Sequence, residues 1–223
     1  LDETEKLIKD GDYLLAKNKL KGLITKDYDN IKLWEIIKEA EVNLKENSDF
    51  SHQRLIELYL RNNKTLKANE TLENLTKINP EFDYRYFYKG QIFNIEGKFE
   101  EASNSFKQGI TEEKTPALCY LGLGIIEAKV YFNEKKAIEL FHKSLEIEEL
   151  TETLNELGLI YMNSKAGYED FRKAEFYFNK SLSIGKNKQK SFLYLGNLMM
   201  KEMKYNEALQ AFLGIFKKED KFH

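Results

Sequence analysis

Residues 83–109 read DYRYFYKGQIFNIEGKFEEASNSFKQG, and their spacing decides the fold. Tyr86, Gly90 and Phe93 recur at helical intervals, Gly97, Lys98 and Phe99 make a turn, and Ala102, Phe106 and Gly109 recur on a second helix. Gly90 and Ala102 stand twelve residues apart. Near the other end of the chain, Leu195, Gly196 and Met199, a turn at Tyr205, and Ala208 and Phe212 repeat the arrangement, again with twelve residues between Gly196 and Ala208. Working outward, copies begin near Asp49, Asp83, Ala117 and Thr151, each 34 residues after the last, a period that means stacked helical hairpins. With two prolines in 223 residues and no alternating stretch, the chain reads as helix almost throughout.

This pattern resembles the tetratricopeptide repeat, in which a small residue on each of two antiparallel helices lets their axes approach and flanking aromatics fill the space between. The resemblance implies an all-α fold, a right-handed superhelix (α-solenoid) of helix hairpins. The copy at 49–82 is looser: Leu55, Ile56 and Tyr59 precede Ala68, Leu72, Leu75 and Pro80, with Ile56 in the small position, which predicts a wider hairpin. At 117–150, Gly124 and Ala137 are thirteen apart, predicting one extra residue in the turn. At 151–188, Gly158 and Ala174 are sixteen apart, and Leu157, Tyr161, Gly167, Asp170, Lys173 and Tyr177 look like a Sel1-like repeat whose loop near Asn163–Asp170 should protrude. The last copy occupies 189–223.

Residues 1–48 fit less well. Gly11, Asp12, Tyr13, Ala16, Leu20 and Leu23 look like the turn and second helix of a partial repeat. Ile31–Glu46, with Trp34, Ile37 and Val42, reads as a helix without a pairing partner, so a break in the path is expected near Asn47–Asp49. The charged end Lys217–His223 should fray.

Composition excludes several function classes. One cysteine cannot build a disulfide framework, and His52, His142 and His223 are too few and too scattered for a zinc site. Thirty-five basic against 37 acidic residues remove the footprint of a nucleic-acid binder, so nucleic acid is not an expected partner. No apolar run approaches the roughly 20 residues of a membrane span. Gly122 and Gly124 open like a dinucleotide fingerprint, but Glu127 stands at the third glycine position. Gly185 and Lys186 resemble the end of a phosphate loop, but Lys180 and Asn187 break it. Cys119 reads as a buried structural thiol, His142 as a solvated side chain, and Glu146, Glu148 and Glu149 as a charged helix end. No catalytic residue, cofactor or metal site is expected, and the chain reads as non-enzymatic.

Function then rests on the surface that packing leaves over. In tetratricopeptide repeats the first helices line a concave groove. Carried onto this chain, the resemblance places there Tyr84, Phe87, Gln91 and Asn94, then Leu118, Leu121, Ile125 and Lys129, then Asn155, Leu159 and Met162, then Leu193, Asn197 and Met200. The set is more apolar than a solvated face requires, which suits a peptide or helix of another protein, with amides fixing its register. The residues that hold a carboxy-terminal carboxylate in chaperone-binding members are replaced by Gln53, Glu57 and Tyr88, and by Asn155, Leu159 and Tyr194. The leading reading is a protein-interaction scaffold or adaptor. The alternatives are a self-associating subunit of a larger envelope or organelle assembly, and the regulatory segment of a longer protein. Leu1 leaves open a removed leader or anchor, so cytoplasm and bacterial periplasm or envelope both fit.

Overall fold

A computed structural model describes residues 2–112, 116–184 and 188–215, so the expectations for Lys217–His223 and for Gly185–Asn187 lie outside the described residues. The described residues form thirteen α-helices and no strand. They belong to two compact units, residues 1–105 and 106–223, with the division inside one helix.

Unit 1 holds α1 (Asp2–Lys9), α2 (Tyr13–Ile24), α3 (Ile31–Asn43), α4 (Asp49–Arg61), α5 (Thr65–Ile78), α6 (Arg85–Ile95) and the start of α7 (Phe99–Glu112). From α1 to α6 each helix packs on the next, and α1 also meets α3 and α4 meets α6. The helix expected to stand alone is therefore held on both sides. α3 lies against α2 and α4, burying Leu33, Trp34, Ile36, Ile37 and Ala40, and only Val42 of its named apolar residues is exposed. Asn30 caps α3 by accepting from the backbone N–H groups of Lys32 and Leu33 at 3.0 and 3.3 Å.

Unit 2 holds the rest of α7, then α8 (Ala117–Lys129), α9 (Glu134–Ile147), α10 (Thr151–Asn163), α11 (Phe171–Ile184), α12 (Lys188–Lys201) and α13 (Tyr205–Gly214). The small residues act through one contact made three times. A Cβ on Gly124, Gly158 or Gly196 would lie 2.4, 2.4 or 2.3 Å from the ring of Phe141, Phe178 or Phe212. Each of those phenylalanines stands four residues after the small residue of the second helix, Ala137, Ala174 or Ala208, all buried. The glycine thus gives the facing aromatic room to lie against the first helix's backbone.

The turns explain the spacings. After α6, Gly97 N–H donates to Asn94 at 3.1 Å and Lys98 N–H to Phe93 at 2.9 Å, with Gly97 at φ +74°, the left-handed helix stop. The thirteen-residue copy keeps the motif with one more residue, Asn133 N–H reaching back to Glu127 at 2.8 Å. The longer connection between α10 and α11 is tied down at its base: Asp170 N–H donates to Tyr161 at 2.8 Å, and Ser164 Oγ donates to the Glu134 carboxylate. Its tip, Lys165, Ala166 and Gly167, is exposed.

Two rows follow from this packing. The first helices α8, α10 and α12 touch one another in sequence, whereas among the described residues α9, α11 and α13 do not. In a hairpin stack the closely packed row is the inner one, and the separated row must fill its gaps with side chains.

Candidate functional site

The expected groove residues divide by unit. In unit 1, Tyr84 precedes α6 and Phe87, Gln91 and Asn94 lie on it, all half-buried. Tyr84 and Phe87 pack on the core, where the Phe82 and Tyr84 rings are 5.9 Å apart and those of Phe87 and Tyr88 5.2 Å.

Beside them lies a polar network centred on Glu57 of α4. Its carboxylate accepts from Arg54 Nη1 at 3.0 Å and from the Tyr88 hydroxyl at 3.1 Å. Arg54 is buried, pairs also with Asp29, and stacks 4.4 Å from the Tyr28 ring. Burial, reinforced by the Glu57 charge, pushes the Tyr88 phenol far above its ordinary value, so Tyr88 serves as a fixed donor. The centre of this window is thus an acid, held by Arg54 and Tyr88. The network itself was hidden from the sequence, because Asp29 stands 25 residues from Arg54 and no local pattern joins them.

In unit 2 the expected set is partly sealed. Leu121, Asn155 and Met162 are buried, and Leu118, Ile125 and Leu159 are half-buried against the core. The inner-row contact of α8 with α10 closes that seam, and Lys129 spans its edge by pairing with Glu156 at 2.7 Å. The Asn155 Oδ1 atom is buried and has no hydrogen-bond partner among the described residues. At the next seam Lys201 Nζ donates to the Met162 carbonyl at 2.8 Å. What stays open is the face of α12: Leu193 and Met200 are 42% and 47% exposed, with Asn197 exposed between them at helical spacing.

Chemistry is sparse elsewhere. Cys119 is buried and His142 exposed, as the sequence suggested. Among the described residues no group of three or more His, Cys, Asp or Glu side chains could hold a metal ion, and no helix is long and apolar enough to cross a membrane.

The chain matches no protein-family model, and comparison with curated proteins finds no match. Solved structures do resemble it. The Cut9–Hcn1 hetero-tetramer of the APC/C matches with a TM-score of 0.60 at 18% identity over 91% of this chain. A monomeric mutant of IFIT1 with Gppp-AAAA matches at 0.61 and 16% over 94%. PilF of Pseudomonas aeruginosa matches at 0.56 and 21% over 76% of this chain and 77% of its own. The chain spans 42% and 47% of the length of the first two. At these identities the likeness is one of fold: these are helical repeat proteins of the tetratricopeptide type, and the thirteen helices with their sequential pairing share that solenoid architecture.

Proposed function

We propose that this chain is a non-enzymatic interaction scaffold that binds a peptide or helix of a partner protein along its first-helix face. The repeat array runs over 49–223 in five hairpins, behind a partial set at 1–48, and the 151–188 hairpin is of the Sel1-like kind. The fold supports a scaffold role in general, since helical repeats of this type present extended surfaces made of preorganised helices. One observation carries the placement: Leu193 and Met200 are exposed large apolar residues on the same face of α12, with the amide of Asn197 between them. An apolar stripe with an embedded amide suits an amphipathic segment.

The structure also selects the test. Charged substitutions at Leu121, Ile125 or Leu159 would strike residues in or against the core, so loss of a partner there would report unfolding. Leu193→Lys with Met200→Lys alters exposed positions instead. Affinity capture from native lysate with wild type and this variant, each verified by circular dichroism, is expected to lose a specific protein while helicity holds. Identical recoveries would refute the α12 face. A mass that rises with concentration in the wild type and not in the variant would assign the face to self-association.

A further inference from the structure

The outer row of unit 2 is filled unevenly. Over α10, between α9 and α11, Tyr177 lies parallel on Tyr161 with ring centroids 5.6 Å apart, and Lys173 Nζ sits 5.1 Å from the Tyr161 centroid. His142 closes the α9 side, 6.5 Å from Tyr177. In repeat register, Tyr161 comes three residues after Gly158, Tyr177 three after Ala174, Lys173 one before Ala174, and His142 five after Ala137. The same register in the next hairpin, set by Gly196 and Ala208, gives Met199, Ala211 and Glu207, with Asn179 of α11 in the place of His142.

Both rings are therefore lost and the cation becomes an acid. Where the tyrosine pair stood one repeat earlier, a cleft of about 580 Å³ opens between α11 and α13 over α12. Leu195 and Met199 form its floor, and Glu175, Asn179, Glu207 and Ala211 its walls. Neither carboxylate has an ion-pair partner among the described residues. The volume falls in the range of about 300–1,000 Å³ usual for binding clefts.

We infer that this cleft docks a segment of a partner protein carrying an aromatic residue next to a lysine or arginine. The ring takes the place of Tyr177, stacking over the Met199 thioether, and the cation pairs with Glu207 and Glu175. The partner thus restores both elements that the preceding repeat supplies from its own sequence. The site is independent of the proposed α12 face: at 100° per residue, Leu195 and Met199 point away from Leu193, Asn197 and Met200. Either can fail without the other.

The test is fluorescence anisotropy on the full 223-residue chain with a labelled Gly-Ser peptide bearing a Phe-Lys-Phe-Arg core, against versions with alanine for phenylalanine and glutamate for the cations. The core peptide should bind and both controls should lose binding. Ala211→Tyr, which refills the cleft, should abolish binding with helicity unchanged. Glu207→Lys, at an exposed position in the first turn of α13, should weaken it about tenfold at low salt in protein whose helicity is verified by circular dichroism, with the difference shrinking as salt screens the pair. Absence of binding by the wild type, equal binding by the glutamate control, or undiminished binding by Ala211→Tyr would each overturn the assignment. Binding that appears only after residues 216–223 are removed would assign the cleft to the chain's own FKKEDKFH segment and overturn the partner proposal.

Discussion

Gly158→Leu tests the packing rule on which the fold rests. A Cβ at that position meets Phe178 Cε1 at 2.4 Å, Cδ1 at 2.7 Å and Cζ at 2.8 Å. The ring is fully buried and faces Tyr194 at 5.7 Å between centroids, so it has no free space into which to withdraw. Replacing glycine in a helix interior gains up to about 1 kcal/mol of propensity, whereas overpacking a closed core costs about 1–3 kcal/mol, and the enclosed ring places the cost at the upper end. A net loss of about 1–2 kcal/mol follows. Gly22→Ala is the matched control, because that helical glycine has nothing within 4 Å and should keep the propensity gain of about 0.5–1 kcal/mol. Urea unfolding followed by circular dichroism reads both, and amide exchange should show the loss concentrated in α10, α11 and their neighbours, since stability in a hairpin stack is local. A Gly158→Leu midpoint indistinguishable from wild type, or a destabilised Gly22→Ala, would refute the reasoning.

Two further outcomes follow from single residues. Phe132 holds φ +54° in the turn between α8 and α9 and is 80% exposed, so Phe132→Gly relieves a left-handed strain of about 1 kcal/mol without exposing core and should raise the thermal midpoint; a lower midpoint would show that the ring is held by contacts. His52 is buried, with Nδ1 at 2.8 Å from the Ser48 carbonyl, and burial, aided by Lys38, lowers its pKa below the usual 6.5. Its neutral form therefore contributes stability that is complete above pH 6.5 and is lost as pH falls from there through the folded-state value, because the unfolded chain takes up the proton first. His52→Asn should flatten stability between pH 7.5 and pH 5.5, and an unchanged slope would remove His52 as its source.

The core was legible because it obeys short-range rules. Gly158 with Ala174 and Gly196 with Ala208 mark the close approaches, and the thirteen-residue spacing of Gly124 and Ala137 appears as the extra residue before Asn133. The packing of α3 was not legible, since its neighbours α2 and α4 are chosen by the path of the stack and leave no repeat signature in Ile31–Asn43. The depth of the inner-row seam was hidden for a related reason. Register says which side of a helix Leu121, Asn155 and Met162 face, but their burial depends on how closely α8 and α10 approach. The Arg54–Glu57–Tyr88 network joins groups up to 34 residues apart in sequence, beyond the reach of any local pattern.

The two rows then set where anything can bind. Helices that touch, as α8, α10 and α12 do, bury whatever lies between them, so a residue there serves the core even when its repeat position is a groove position, as Asn155 does. Helices that do not touch among the described residues, as α9, α11 and α13, leave gaps whose filling depends on single side chains. Tyr177 on Tyr161 fills one, and Ala211 over Met199 leaves the next open. Repeat register thus locates a binding cleft by the large residue that one copy lacks, whereas an inner-row face is available where its apolar residues stay exposed among the described residues, as on the Leu193–Met200 side of α12.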